Sequence, residues 1–327
     1  MDVVSDAISA VRTGRPSSER VRVRVPVRAG AGAGGSGWCV RFGAYEGAGF
    51  HVVLEGGCRL LPDGGEPVTL GPGDAVLLPH GTGHVIADGP ADAAAVARAV
   101  PFEAWRDGWA GASALPADPG AAAVEMLCGK YRLDHSRAHP LMRELPPVVH
   151  LPNRVGSHGE LRSAIGLLGG ELGGEPGGGP GARRPGSCVA VSSLLDLLLV
   201  YMIRSWMAEA RTGSWPAALS DPVTAEALRA LHSDPAAPWT NDRLAREAGV
   251  SRPTLARRFT ALVGRPPMAY LTWWRLNLAA AQLRDTEAPL ATIARRVGYG
   301  TPYAFSHAFT RQFGTPPSHY RARTAPG

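Results

Sequence analysis

The last third of the chain contains one helical pattern twice, and this repeat restricts the fold more than any other feature. In the first copy a short helix is predicted over 242–248, a turn at Gly249 and a second helix over 252–263. The second copy, 290–314, has the same order of elements with Gly298 at the turn. A glycine between two short helices supplies the left-handed backbone that a tight crossing needs. The pattern therefore predicts two helix-turn-helix motifs.

Residue types at fixed positions support this prediction. Ser251 and Thr301 precede the second helix of each copy, where a side-chain oxygen caps a free backbone N–H, and Asn241 is predicted to cap the first helix. Between the copies, a long helix over 267–283 is predicted as a stiff spacer. Two recognition helices on such a spacer can enter major-groove segments about 34 Å apart on one face of a DNA duplex. The apolar inward positions are Leu244, Ala245, Val250, Leu255 and Phe259, and then Ile293, Ala294, Tyr299, Phe305 and Phe309.

The positive charge of the chain is concentrated in the same region. Residues 220–327 contain 14 Arg, no Lys and 7 Asp or Glu, which gives this region a net charge of +7. The net charge of the whole chain is +6. The remaining residues therefore carry a net charge of −1. A basic domain joined to a near-neutral one is typical of a nucleic-acid-binding protein with a separate sensing or assembly domain.

The two motifs, the spacer helix and the closing segment 313–321 together resemble the DNA-binding domain of AraC/XylS-type transcription regulators. This resemblance covers about 100 residues and implies double-stranded DNA as the partner. RNA polymerase, a small-molecule effector and a second copy of the chain are the further partners that we expect. Activation and repression both remain open, because the position of the site relative to the polymerase decides between them.

Helix periodicity indicates which side chains face the DNA. Arg257 is the best candidate for reading a base, since a guanidinium can bond guanine O6 and N7 together. Phosphate contacts, or simple solvation, are expected for Arg258, Arg275, Arg295 and Arg296. The complete set predicted to face the groove is Arg252, Thr254, Ala256 and Arg257 in the first recognition helix and Tyr303, Ser306, His307 and Arg311 in the second.

The N-terminal half has a different periodicity. After a short amphipathic helix in residues 1–15, Val and Arg alternate over 21–28, and short apolar runs separated by Gly-rich turns continue to residue 87. Such spacing predicts an antiparallel barrel or sandwich. We therefore expect an α+β chain in three parts: an antiparallel β-barrel (1–152), a helical segment that serves as a linker or in dimerisation (153–219), and the all-α DNA-binding domain (220–327).

The linker contains two features of its own. Residues 169–182 are so rich in Gly and Pro that a flexible loop is predicted. The stretch 189–207 is apolar but is interrupted by Asp196 and Arg204, so no membrane span is expected. The prediction is a buried helix or a helix that pairs two subunits. The four cysteines form no CxxC pair and no signal peptide is recognised, so the cytoplasm is the expected location.

The segment 73–84 has the spacing G-x5-P-x-G-x2-H and resembles the second motif of cupin barrels, which implies a cupin-like jelly-roll for the barrel in 1–152. The first motif, however, lacks the His-x-His and following Glu of the family. That departure puts the usual cupin metal site in doubt. His51, His80, His84 and Cys128 could still converge as a zinc site, because zinc favours imidazole and thiolate ligands. The alternative is that these histidines are hydrogen-bonded in the interior.

The chain is thus predicted to be a transcription regulator and not an enzyme. Its cupin-like domain is predicted to sense a small molecule or a metal, or to mediate dimerisation. A metal-dependent cupin enzyme with an appended DNA-binding domain is the alternative. The broken first motif argues against that alternative, and neither a phosphate-binding loop nor a dinucleotide fingerprint is found.

Overall fold

The protein folds as two compact units that are not contiguous in sequence. A computed structural model shows a sheet unit, Arg12–His135 with Leu145–Glu209, and a helical unit, Met1–Val11 with Ser136–Glu144 and Ala210–Gly327. The borders expected at residues 152 and 219 stay predictions. The residues that the structure describes are 2–25, 38–89, 93–106, 122–133, 139–173, 184–210 and 214–324.

Ten strands of the sheet unit form two five-stranded sheets, in the orders β1-β9-β3-β6-β10 and β5-β4-β7-β2-β8. Neighbouring strands are antiparallel, apart from the short parallel pair of β2 with β8. In the described part of the chain the two sheets do not close into the hydrogen-bonded barrel that we expected. The bounds are β1 Ser17–Val25, β2 Cys39–Phe42, β3 Ala48–Glu55, β4 Cys58–Pro62, β5 Val68–Leu70, β6 Ala75–Leu78, β7 His84–Ala87, β8 Val100–Pro101, β9 Ala122–Tyr131 and β10 Val149–Leu151.

The core of the sheet unit lies between its sheets, because the alternating apolar side chains of both face inward. Val53, Leu60, Val76, Leu78 and Ile86 are buried completely. A short helix, Ala93–Arg98, follows β7.

Two longer helices complete the sheet unit, Gly159–Leu172 and Ser187–Glu209, and they pack against each other. The first includes residues 169–172, for which the loop prediction is therefore wrong, and 174–182 of the predicted loop lie outside the described residues. The second corresponds to the predicted apolar helix, of which 33% of the most apolar window is buried, so that burial and pairing with a second subunit both stay open. Tyr131 donates a hydrogen bond to its Leu195 carbonyl, 2.8 Å away. Among the described residues it is also the one helix with the length and apolar composition to cross a membrane, a property that core helices of soluble proteins share.

The helical unit contains both predicted helix-turn-helix motifs. The first consists of Asn241–Glu247 and the first recognition helix, Arg252–Val263; the second consists of Leu290–Arg296 and the second recognition helix, Pro302–Phe313. The helix predicted as a spacer, Pro267–Asp285, connects them and is called the linker helix below; it is distinct from the segment 153–219. The other helices are Val3–Val11, Pro140–Glu144, Ser214–Ser220, Pro222–Ser233 and Pro317–Thr324.

Local signals explain where the motif helices begin. Ser251 and Thr301 accept backbone N–H groups as predicted, from Thr254 and Ala304. The expectation for Asn241 is wrong: Thr240, in extended conformation, caps that helix by accepting from the N–H of Arg243. Either neighbouring side chain could serve, and the backbone enters the helix one residue earlier than the sequence suggested.

A chain of buried hydrogen bonds joins distant segments within the helical unit. His139 Nδ1 accepts from the N–H of Leu141, so its proton lies on Nε2, which donates to the Tyr270 hydroxyl 2.8 Å away. Tyr270 in turn donates to His232 Nε2, and His232 Nδ1 donates to Asp6, both over 2.7 Å. Each of these hydrogen bonds determines which atom carries the proton in the next one. These bonds therefore tie the N-terminal helix and residue 139 to the helix Pro222–Ser233 and to the linker helix.

Candidate nucleic-acid interface

The first recognition helix presents one buried and one open face. Leu255, Phe259 and Val263 are buried against the rest of the helical unit. On the opposite side Arg252 and Arg257 are exposed, while Thr254 and Ala256 are partly exposed. All four predicted groove-facing residues are thus accessible, although Thr254 also bonds the capping Ser251 through its hydroxyl, at 2.9 Å.

The second recognition helix repeats this division. Phe305 and Phe309 are fully buried in a cluster of aromatic rings that includes Tyr299, Phe313 and Tyr320. The predicted groove-facing residues Tyr303, His307 and Arg311 are exposed, Tyr303 by 82%, and Ser306 is partly exposed. That the two faces contact bases stays a prediction.

The four arginines expected at phosphates differ in their surroundings. Arg295 and Arg296 are exposed. Arg258 lies 3.5 Å from the Asp221 carboxylate. Arg275 is partly buried and donates to two backbone carbonyls, of Pro235 at 2.6 Å and of Ala237 at 2.8 Å, so its guanidinium is already engaged within the protein. Arg295 and Arg296 therefore remain the candidates for phosphate contacts.

A cavity of about 370 Å³ opens in the sheet unit, at the lower end of the volumes that hold small-molecule ligands. Strand register builds its inner wall: His51 on β3 stands opposite Cys128 on β9, and His84 on β7 stands opposite Phe42 on β2. The remaining lining residues are Ser17, Ser18, Glu19, Gly43, Ala44, Tyr45, Gly49, Phe102, Glu103, Arg106, Gly129 and Lys130.

Aromatic and charged groups occupy different parts of this cavity. The Phe42 ring stacks on His84 and on Phe102, with centroid distances of 4.9 and 4.7 Å. The Lys130 ammonium lies 5.0 Å from the centre of the Tyr45 ring. The walls thus offer a flat apolar surface together with a cation.

Three of the four predicted metal ligands meet at the inner wall. His84 Nδ1 lies 3.0 Å from the Thr82 carbonyl, which can only accept, so Nδ1 holds the proton. Burial lowers the pKa of His84 to about 4. Burial, together with the proximity of His84, also lowers the pKa of His51 well below its usual value. Both rings are therefore neutral. His51 Nε2 therefore donates to His84 Nε2, over 2.7 Å, and His51 Nδ1 accepts from the Cys128 thiol, over 3.0 Å. Burial raises the pKa of that thiol, which agrees with its role as donor.

This arrangement does not fit one zinc ion. Cys128 and His84 lie at opposite nitrogens of the His51 ring, so a single ion cannot bind all three side chains. His80 points elsewhere and bonds the Leu145 carbonyl at 2.7 Å. Within the described residues, no three His, Cys, Asp or Glu side chains are arranged to hold a metal. As positioned here, the histidines and the thiol satisfy one another.

Two features of the structure were not visible in the sequence. Lys130 and Arg106 line the cavity, and nothing in their sequence surroundings distinguishes them from other surface cations. The contact of Arg275 with residues 235–237 joins positions about 40 apart, which no local pattern reports.

Comparison with known proteins agrees with this architecture. Residues 2–208 match the family model described as Cupin, and residues 244–323 match a model of a helix-turn-helix domain. A putative AraC-like transcription regulator of Streptomyces lividans is 38% identical over 291 residues, which cover 88% of this chain and 90% of the relative. Another, from Streptomyces antibioticus, is 36% identical and covers 89% of this chain and 92% of its own length.

Among solved structures, the DNA-binding domain of AdpA in complex with a target DNA is 33% identical and covers 32% of this chain and 93% of its own, with a TM-score of 0.30. Five relatives that match over about 90% of their length, the two Streptomyces proteins among them, are named as transcription regulators. The cupin match spans most of the sheet unit and the helix-turn-helix match spans both motifs. The chain therefore belongs to the AraC-type family of DNA-binding transcription regulators and carries a cupin domain before its helix-turn-helix domain.

Proposed function

We propose that this protein is a one-component regulator of the cytoplasm, in which the cupin cavity binds a small molecule and both helix-turn-helix motifs bind one promoter site. The observation that carries the proposal is the pair of recognition helices with accessible outer faces, joined by a single linker helix within one compact unit. Effector binding would act by favouring one arrangement of the chain over another, which is the coupling that regulation requires.

The groove-facing residues divide by their expected roles. Arg252, Arg257 and Arg311 are exposed cations on recognition helices and suit guanine or phosphate. Thr254, Ser306 and His307 offer smaller hydrogen-bonding groups. Ala256 and Tyr303 suit apolar contact, for instance with a thymine methyl group.

Replacing Arg257 by alanine is expected to weaken binding to the preferred site by about 1–3 kcal/mol and to relax base preference at one position, because a bidentate base contact is lost. Replacing Arg296 by alanine should instead weaken binding to all sequences alike and reduce the salt slope by about one, because a phosphate contact is lost. Selection of bound duplexes from a random library, followed by titrations at several salt concentrations, measures both effects.

Arg229→Ala serves as the matched control for charge. This arginine is exposed, bonds Glu226 on its own helix and lies on no recognition helix. Loss of affinity equal to that of Arg257→Ala, with base preference unchanged in both variants, would contradict the base-reading role.

For the cavity, the walls favour a small organic molecule with a flat apolar body and an anionic group. Phe42, Phe102 and the His84 ring would contact the body, and Lys130 would meet the anion. A zinc ion is the alternative ligand, and it would require His51 to give up one of its two present hydrogen bonds.

Aromatic carboxylates such as benzoate are therefore expected to stabilise the full chain in thermal-shift assays, and zinc is not. A ligand present at a hundred times its Kd raises the unfolding free energy by about 2.7 kcal/mol. The gain should fall in Lys130→Met, which retains the length of the side chain without its charge. Stabilisation by zinc that disappears in His84→Asn would support the metal alternative. No stabilisation by either class, with self-association retained, would favour a cupin domain that only mediates dimerisation.

The enzyme alternative finds no support in the relatives, which are named as regulators. A catalytic cupin needs open coordination positions on a bound metal. The mutual hydrogen bonds of His51, His84 and Cys128 leave no such arrangement among the described residues.

A further inference from the structure

The turn glycines of the two motifs have the same backbone conformation but different surroundings. Gly249 and Gly298 adopt φ values of +67° and +80°, the left-handed region. A Cβ atom on Gly249 would meet nothing within 4 Å. A Cβ atom on Gly298 would lie 2.8 Å from Arg275 Nη2 and 2.9 Å from the Cα and O atoms of Ala236. The second motif therefore touches the loop 234–239 at its turn, whereas the corresponding turn of the first motif is open.

The loop in question leads directly into the first motif. It follows the helix that ends at Ser233, and it precedes Thr240, the cap of the first helix of that motif. Hydrogen bonds within the loop hold it together. The Trp239 indole N–H donates to the Asp234 backbone carbonyl, over 2.7 Å, and the Ala237 N–H donates to the Asp234 carboxylate, over 3.1 Å. A displacement of this loop would thus move the start of the first motif.

Arg275 connects this loop to the linker helix. Its Nε and Nη2 atoms donate to the carbonyls of Pro235 and Ala237, on both sides of Ala236. The guanidinium also lies near Tyr299 of the second motif, where it opposes the rise in the Tyr299 pKa that burial causes. Hydrogen bonds from a charged donor are among the stronger ones in proteins. One side chain thus holds the approach to the first motif beside the turn of the second.

We propose that Arg275, the carbonyls of Pro235 and Ala237, and Gly298 form an inter-motif clamp that sets the separation and rotation of the two recognition helices, and thereby sets the half-site spacing that the protein accepts. Arg275 and Gly298 are positioning residues in this proposal, because they act through the recognition helices and do not contact the DNA. The inference rests on the proposed function, in that both motifs must bind one site.

Duplex geometry explains why a clamp would appear as a spacing preference. One additional base pair moves a half-site by about 3.4 Å along the axis and rotates it by roughly 35°. A rigid pair of helices cannot follow this change, so one motif loses its base contacts. A pair with a loosened contact can adjust, and it binds several spacings with similar affinity.

The test uses the full chain and DNA sites obtained by selection from random duplexes. The two halves of the selected site are separated by one or two base pairs more or fewer, and the Kd is measured for each spacing. We expect wild type to bind the preferred spacing at least roughly tenfold more tightly than its neighbours, which is the loss that a single mismatched base pair typically causes. In Arg275→Met and Gly298→Ala this ratio should fall to about threefold or less, with affinity for a single half-site unchanged.

Two further variants separate positioning from general damage. Gly249→Ala imposes the same left-handed strain on the first motif without touching the clamp, so it should retain the wild-type spacing preference. Arg275→Lys keeps the charge and can reach one carbonyl, so its spacing ratio should lie between those of wild type and Arg275→Met. It is also the mildest change, and it provides the measurement if Gly298→Ala fails to fold in circular dichroism.

The outcomes are distinguishable. A flattened spacing profile in Arg275→Met, with an intermediate profile in Arg275→Lys, supports the clamp. Affinity that falls at every spacing by the same factor overturns it and leaves only a structural role for Arg275. If wild type selects a single half-site and is indifferent to spacing, the proposed binding by both motifs fails, and the clamp fails with it.

Discussion

Replacing His232 by alanine should lower the unfolding free energy of the helical unit by about 3–5 kcal/mol, because it removes the hydrogen-bond donor of a buried carboxylate. Asp6 is only 2% exposed, and within the described residues its other oxygen, Oδ1, has no hydrogen-bond partner. The variant would leave the Asp6 carboxylate buried without a donor and the Tyr270 hydroxyl without its acceptor. Amide hydrogen exchange over residues 222–285 of the full chain measures the loss in this unit alone.

Two further variants serve as comparisons for His232→Ala. His319→Ala, an exposed histidine of the same unit, should change stability by no more than about 0.5 kcal/mol. Asp6→Asn should cost less than His232→Ala, since it removes the buried charge but retains an oxygen that accepts from His232. A loss below about 1 kcal/mol in His232→Ala would show that solvent reaches this site.

The same chain of hydrogen bonds bears on the choice of fragments. A fragment that begins at residue 220 lacks both Asp6 and His139, so His232 and Tyr270 lose their outer partners. Burying unpaired polar groups costs free energy. We therefore expect such a fragment to be less stable than the helical unit of the full chain.

Acid should destabilise the sheet unit through His51 and His84. The pKa of His84 is about 4 in the folded protein, and that of His51 is well below its usual value, whereas unfolded histidine titrates near 6.5. Below pH 6.5 the unfolded chain takes up protons that the folded chain does not, so stability is highest above this pH and falls toward pH 4. The slope is about 1.4 kcal/mol per pH unit for each neutral histidine.

Urea unfolding of the full chain between pH 7.5 and 5 tests this, with His84→Asn as the comparison. Between pH 7.5 and pH 5 the variant should lose about 2 kcal/mol less stability than wild type, because the limiting slope of about 1.4 kcal/mol per pH unit is approached only well below pH 6.5. Because carboxylates and His139 titrate in both proteins, their contributions cancel in the difference. Identical slopes would mean that His84 takes up a proton in the folded state, contrary to its burial.

Short-range patterns were sufficient for the helix-turn-helix pair. A helix cap joins residues three apart, as Ser251 and Thr254 or Thr301 and Ala304 show, and a turn glycine depends only on its own backbone angles. The burial of Phe259 and Phe309 follows from helical periodicity. The one cap that was predicted wrongly, at Asn241 in place of Thr240, involves two adjacent residues that are both favoured as N-caps.

Strand positions were likewise predictable, but not how the strands assemble. Alternation of apolar and polar residues shows which segments are extended. Whether ten strands close into a barrel or remain two sheets depends on hydrogen bonds between strands distant in sequence, as in the pairing of β1 with β9. The expectation of a barrel therefore needed the correction that the structure supplies.

The amino-acid sequence alone determined the family, the two motifs and the surface that they present, because caps, turns and periodicity act over a few residues. Only the tertiary structure decided which polar groups meet: Asp6 with His232, His51 with His84 and Cys128, and Arg275 with the loop before the first motif. These partners are 33 to 226 residues apart, and two of the sets are buried. Their meeting depends on strand register and helix packing, which satisfy buried polar groups wherever the fold brings them together.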